Sequence, residues 1–233
     1  MSSYTLLDGR LTLCGKYYKS TEDALWLASN ISPKQGESIL DVGAGNGAIG
    51  LSLSTLHKTP VTLIENNTNL IGSLQSAIEA NKITNADIIE CTWPETSITT
   101  TYDHVISNPP FHLIEEGFQS QSKQKEHGIH KNDLALWIEA CCKSCTPTGS
   151  VSLFLSLRSF NALSEHLKSL GLKEVTDIIS NKQEMPRACI VELTPSYTGS
   201  PQHYTLNCSN EDIRTEILRR GGKIKAHRSA RSQ

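Results

Sequence analysis

Ile39-Leu40-Asp41-Val42-Gly43-Ala44-Gly45-Asn46-Gly47-Ala48-Ile49-Gly50 is a strand that runs into a glycine turn and opens a helix. Glycines let the backbone take conformations a Cβ forbids, and they let a ligand lie directly against main-chain atoms. The spacing Gly43-x-Gly45-x-Gly47 differs from the dinucleotide pattern G-x-G-x-x-G, and an acid, Asp41, stands two residues before the first glycine. A carboxylate there repels a pyrophosphate and attracts an ammonium or sulfonium group. The turn therefore favours S-adenosylmethionine (SAM) over a nicotinamide dinucleotide.

The next apolar run, Val61-Thr62-Leu63-Ile64, ends in Glu65, 24 residues beyond Asp41. That is the spacing at which a strand-end acid receives ribose hydroxyls in nucleotide-binding α/β folds. Asp41, Gly43, Gly45, Asn46, Gly47, Glu65 and Asn66 make up the expected cofactor-binding set. A third strand should offer a group to the adenine of the cofactor. Asp87, Glu90 and Thr92 are the candidates there, and Trp93 either flanks the adenine or packs inside.

His104-Val105-Ile106-Ser107 reads as a fourth strand that stops at Asn108-Pro109-Pro110-Phe111, because two prolines terminate sheet pairing. The tetrad should lie at the carboxyl edge of the sheet, where α/β folds bind ligands. An exocyclic amine is a poor nucleophile while its lone pair is delocalised into a ring. The Asn108 amide oxygen and the Pro109 carbonyl would hold its two N–H groups and turn the lone pair toward a methyl donor. Phe111 would stack on the flat substrate, and with Pro110 these residues form the expected catalytic set. Positioning and electrostatics suffice against a sulfonium, so no strong base is required.

Outward from these motifs, strand-length apolar runs recur at 38–41, 61–65, 86–91, 104–107, 151–157, 172–179 and 188–193, alternating with helical patterns at 22–29, 48–56, 69–81, 134–145 and 161–170. This is an α/β chain with a mostly parallel, seven-stranded sheet. The loop between the last two strands is too short for a parallel crossover, so they should close the sheet as an antiparallel pair. Gly171 and Asn81 sit where helix ends favour a left-handed residue. The polar stretch 119–131 reads as a mobile loop.

At 233 residues with 37% hydrophobic and 20% charged content, one soluble domain spanning 1–233 is expected, with no run long enough for a bilayer. Seven cysteines do not form a disulfide framework and fit a reducing, cytoplasmic setting without a secretory leader. Cys142-x-x-Cys145 has no second pair nearby, and His112, His127 and His130 show no ligand spacing, so no metal is expected. Net charge is −2, yet residues 209–233 carry seven Lys and Arg from Arg214 to Arg231 and read as a basic tail available to phosphates. A monomer is the working expectation.

Through Asp41-Val42-Gly43-Ala44-Gly45-Asn46-Gly47, Glu65 and Asn108-Pro109-Pro110-Phe111, the sequence resembles the class I, SAM-dependent methyltransferases of Rossmann-like fold. Within them it is similar to the bacterial tRNA (adenine-N6)-methyltransferases acting on adenine 37 of a valine tRNA. Leu6-Leu7-Asp8-Gly9-Arg10-Leu11, Thr21-Glu22-Asp23-Ala24-Leu25-Trp26-Leu27-Ala28, Tyr204-Thr205 and Ile217-Leu218-Arg219-Arg220-Gly221 extend the likeness. The resemblance implies that Asp41, Gly43, Gly45 and Gly47 hold the methionine end of SAM, Glu65 its ribose, and the tetrad the target adenine of a tRNA. It also implies that residues 1–35 approach the cofactor as a lid. Cys14-Gly15-Lys16-Tyr17-Tyr18 departs from the Gln-Pro and aromatic-glycine pair usual there. A guanine-N2 methyltransferase of ribosomal RNA, a protein glutamine N5-methyltransferase and a non-catalytic SAM- or RNA-binding module remain the competing readings.

Overall fold

The computed structural model describes residues 3–15, 22–95, 98–110, 112–114, 128–179 and 185–231, with His112 described by its backbone. Phe111, His127, residues 16–21 and the stretch 115–127 lie outside the described residues. Two short strands, β1 (Ser3–Leu6) and β2 (Leu11–Cys14), pair antiparallel before helix α1 (Glu22–Asn30). Strand and helix then alternate through β3 (Ile39–Val42), α2 (Gly50–His57), β4 (Val61–Glu65), α3 (Thr68–Ala80), β5 (Ala86–Glu90) and β6 (Tyr102–Ser107). A small parallel pair follows, β7 (His112–Ile114) with β8 (Gly128–His130). The remainder is α4 (Lys131–Lys143), β9 (Cys145–Ser156), α5 (Leu157–Ser169), β10 (Leu172–Ile179), β11 (Ala188–Leu193), β12 (Gln202–Asn207), α6 (Glu211–Leu218), a 3-10 turn at Ile224–Ala226 and β13 (Ser229–Ala230).

Among the described residues the main sheet has nine strands, ordered β13-β12-β10-β11-β9-β6-β3-β4-β5. The seven expected strands are present, and β11 pairs antiparallel with both β10 and β9. The sheet is nonetheless mixed and larger than expected. β12 adds in parallel to β10, and β13 closes the edge antiparallel to β12. The apolar runs did not announce these strands: β12 is buried only at Leu206, and β13 is two exposed residues.

Alternation along the strands divides the interior in two, because successive side chains of a strand point to opposite faces. Ile39, Leu63, Ile106, Phe154 and Ile190 join one core with α1, α2, the β1–β2 hairpin and Ile217 of α6. Leu40, Val42, Ile64, Val105, Leu153 and Val191 join the other with Leu134, Ile138 and Cys141 of α4 and Leu163 and Leu167 of α5. Helices thus cover both faces, which is why the central strands are apolar throughout rather than alternating.

Local chemistry sets the helix ends. The side chains of Asn67, Ser156 and Asn210 cap α3, α5 and α6 by accepting from Asn69 N at 3.0 Å, Ser159 N at 3.0 Å and Asp212 N at 3.0 Å. Gly171 takes the expected left-handed conformation, φ +87°. Asn81 does not: its φ is −95°, the left-handed residue is Lys82 at +53°, and the Asn81 amide is used to hold β2 instead. Helix α4 ends at Lys143, so Cys145, expected in the helix, begins β9. Residues 128–130, expected in a loop, form β8. The supposed basic tail carries α6, the 3-10 turn and β13, and lies folded on the sheet. No helix among the described residues is long and apolar enough to cross a membrane.

Candidate active site

In the parallel register, Val42 of β3 stands beside Ile64 of β4 and Ser107 of β6. The next residues, Gly43, Glu65 and Asn108, therefore reach the carboxyl edge of the sheet side by side. Three candidates spread over more than 60 positions of sequence meet because the sheet aligns strand ends.

The turn is held from below and from the side. Gly43, Gly45 and Gly47 take φ of +71°, +61° and +85°, conformations that L side chains rarely adopt. A side chain at Gly47 would also place its first carbon 2.7 Å from Leu51 Cδ1 and from Leu74 Cδ2. Glu65 braces the turn: its Oε2 accepts from Gly45 N at 2.8 Å, while Oε1 accepts from Asn66 N at 3.0 Å and Asn67 N at 2.9 Å. A carboxylate offers about four acceptor positions, so three such bonds leave room for about one more donor.

Asp41 is fully buried beneath the turn and accepts from Gly50 N at 2.8 Å through Oδ2, while Oδ1 has no partner among the described residues. Burial pushes its carboxyl up to about 7, against the lowering effect of the Gly50 hydrogen bond and with a further upward push from the Glu65 charge. Asn46, also buried, donates through Nδ2 to the Tyr4 hydroxyl at 2.7 Å, which brings the β1–β2 hairpin against the turn. Asn66 is exposed at the rim. Of the third-strand candidates, Glu90 pairs in register with Glu65 at the edge, whereas Asp87 stands three residues lower beside Thr62. Thr92 lies just past the strand. Trp93 is buried and donates to the Trp137 carbonyl at 3.2 Å, a packing role.

On the β6 side, Pro109 is buried and Pro110 and Asn108 are half-buried. The Asn108 Oδ1 atom is buried and accepts no hydrogen bond among the described residues. Buried acceptors are rarely left unpaired, since each costs about 1–3 kcal/mol. Sequence reasoning missed two participants. One is Tyr4, on a four-residue strand too short to carry a pattern. The other is Trp137 on α4, whose Nε1 donates to Ser107 Oγ at 3.1 Å. Its position beside the apolar stripe of Leu134, Ile138 and Cys141 was the available signal.

The two sides of the edge differ in charge. Asp41, Glu65 and Glu90 lie toward β3–β5. Where β9 ends and β11 begins stand the exposed Arg158 and Arg187, and Lys131, also exposed, opens α4 after β8. Leu157 N donates to the Arg187 carbonyl at 2.9 Å, so Arg158 and Arg187 are close neighbours.

Residues 21–125 match the family described as methyltransferase small domain. A protein of Shewanella sediminis named tRNA1(Val) (adenine(37)-N6)-methyltransferase is 26% identical over 203 residues, 79% of this chain and 82% of its own length. One of that name from Glaesserella parasuis is 26% identical over 84% of both chains, and one from Shewanella baltica 29% identical over 62% of this chain and 63% of its own. Among solved structures, a precorrin-6y C5,15-methyltransferase from Geobacter metallireducens superposes with a TM-score of 0.57 at 17% identity, covering 80% of this chain and 95% of that one. A 16S rRNA N2 G1207 methyltransferase from T. thermophilus, solved with AdoMet and guanosine, gives 0.57 at 18% identity, covering 83% of this chain and 49% of that one.

Proposed function

We infer that this chain, a class I methyltransferase by its fold and its methyltransferase small domain, transfers a methyl group from SAM to the exocyclic N6 of an adenine in tRNA, at adenine 37 of a valine tRNA. The observation that carries the assignment of an amine is the buried Asn108 Oδ1, without a partner among the described residues, at the strand edge beside Gly43.

The residues present fit the cofactor. Gly43 and Gly45 leave main chain open at the rim, and the acids Asp41 and Glu65 suit a cation and a hydroxyl donor. Bound SAM supplies a methyl group on a sulfonium, an electrophile that an adenine nitrogen attacks while losing one proton. Asp41 braces the turn from beneath through its bond to Gly50 N, and Glu65 accepts one ribose hydroxyl beside its three backbone donors. Asn46 and Asn66 contribute from the turn and the rim, and Glu90 or Thr92 meets the cofactor's adenine. Residues 1–35 serve as a lid, a reading supported by the Tyr4 bond to Asn46.

The Asn108 oxygen and the Pro109 carbonyl accept the two N–H groups of the substrate amine, which frees its lone pair from the ring. Pro110 fixes the exit of the chain. Phe111, placed next by sequence, stacks on the base, worth about 1–3 kcal/mol. The base leaves its stack to reach the site, and Arg158, Arg187 and Lys131 take flanking phosphates. The enzyme works in the cytoplasm, where its seven free thiols stay reduced.

The test is incubation with labelled SAM and total RNA, followed by nucleoside mass analysis and isolation of the labelled species. N6-methyladenosine in valine tRNA is the expected product. N2-methylguanosine would transfer the assignment to the guanine reading, labelled protein would transfer it to the glutamine reading, and SAM binding without any product would leave a binding module.

A further inference from the structure

We propose that Trp137 is a positioning residue for methyl transfer, fixing the separation between the glycine turn and the Asn108 oxygen; this rests on the methyltransferase reading of the site. The ladder between β3 and β6 ends with the pair Val42 and Ser107. Beyond it Gly43 turns with φ +71° and Asn108 enters the proline pair, so ladder bonds no longer set their distance. Side chains take over there. Ser107 Oγ is buried and donates to the Val42 carbonyl at 2.8 Å, and it accepts from Trp137 Nε1 at 3.1 Å.

Each of these residues adjoins one of the groups to be aligned. Val42 precedes Gly43, Ser107 precedes Asn108, and one hydroxyl joins them. The six-membered part of the indole also abuts the turn: a side chain at Gly43 would place its first carbon 3.3 Å from Trp137 Cζ2 and 3.5 Å from Cη2. The backbone of Trp137 is itself tied down, its carbonyl accepting from Trp93 Nε1 at 3.2 Å. The half-buried Trp137 therefore touches donor side and acceptor side at once, from a helix belonging to neither strand. Reactions that depend on alignment lose about 100-fold for a displacement of about 1 Å, so this cross-brace governs rate rather than binding.

The variants Trp137→Phe, Ser107→Ala and the pair together separate these effects. Calorimetry gives the dissociation constants for SAM and tRNA, rapid quench gives the single-turnover rate on saturated enzyme, and tryptophan emission is followed as SAM is added. Trp137→Phe and Ser107→Ala should each slow the single turnover about 10- to 100-fold, with both dissociation constants within about twofold of wild type. The double variant should be no slower than the worse single one, because both remove the same brace. The emission change on SAM binding should fall by at least half in Trp137→Phe, since the remaining indoles, Trp26 and Trp93, are buried and Trp137 is half-buried against the turn. Single-turnover rates that stay at wild type, losses that multiply in the double variant, or an emission change undiminished in Trp137→Phe would each overturn the proposal. If Trp137→Phe fails to fold, Ser107→Ala alone carries the rate and affinity comparison. A wild-type protein that binds SAM but modifies no RNA would instead sink the functional reading beneath it.

Discussion

Asn108 Oδ1 and Asp41 Oδ1 are both buried oxygens without a partner among the described residues, yet their physics differs. The first is a neutral acceptor waiting for a donor; replacing Asn108 with Ala should cut methyl transfer to about 1% or less while the SAM dissociation constant, read by calorimetry, stays within about twofold. Near-normal turnover would remove the amine-orienting role. The second belongs to a carboxyl whose folded pKa, about 7, lies above its ordinary 3.8. The folded state then holds the proton more tightly than the unfolded state, so its contribution is favourable below about pH 4 and is lost as pH rises to about 7. Asp41→Asn keeps an acceptor for Gly50 N and removes that titration. Its Tm relative to wild type should rise by several degrees between pH 5 and pH 8, and a constant difference in scanning calorimetry would refute the buried charge. Asp41, Glu65 and Asn108 were legible because a strand-end acid and a proline pair mark an edge without knowledge of what lies across it. Trp137 was not, because its meaning depends on where α4 crosses the sheet.

The β1–β2 hairpin shows what an element contributes when its sequence carries little signal. Its strands have four residues each, and it is fastened to α3 by one amide: Thr12 N donates to Asn81 Oδ1 at 2.8 Å, and Asn81 Nδ2 donates to Thr12 O and Ala77 O, both at 2.6 Å. From that fastening Tyr4 reaches Asn46 in the glycine turn. Asn81→Ala removes the hairpin's bonds without touching the turn, and should weaken SAM binding about three- to tenfold while costing about 1–3 kcal/mol of stability. Unchanged SAM affinity in a titration would show that the hairpin only covers the core. The long elements were legible in advance, β3, β4 and β6 to within a residue or two, because a sheet covered on both faces demands uninterrupted apolar runs; β9 begins at Cys145, six residues before the expected start, because its first half is largely exposed or half-buried. The hairpin, β7, β8 and β12 were not, since short or half-exposed strands draw their stability from partners rather than pattern. Helix α6 escaped notice for a similar reason: it buries one residue, Ile217, and its start depends on the Asn210 cap.

At the scale of the whole molecule, the distribution of charge argues differently from the count of cations in the last residues. Lys225 Nζ lies 2.6 Å from Glu192 and 3.5 Å from Glu174; Arg228 bonds Glu174 at 2.7 Å and lies 3.6 Å over the Tyr204 ring; Arg231 bonds Asp177 at 2.8 Å. Burial pushes the Glu174 carboxyl up, but the hydrogen bond from Arg228 and the charge of Lys225 outweigh it and hold the pKa below the ordinary carboxylate value. These cations neutralise the sheet's own acids, so their first effect is on folding. Arg228→Ala leaves Glu174, whose side chain is 12% exposed, without its main partner, and should cost about 3 kcal/mol, lowering Tm by about 6 °C or more. The RNA-facing charge is expected on Arg158 and Arg187, exposed where β9 ends and β11 begins. Reversing both to Glu should leave Tm within about 2 °C, raise the tRNA dissociation constant at least tenfold at low salt, and flatten its dependence on salt by about two released counterions. If Arg228→Ala instead weakens RNA binding at unchanged Tm, or the double reversal leaves the salt slope intact, the phosphate surface lies on the C-terminal segment and the substrate approaches from that side of the sheet.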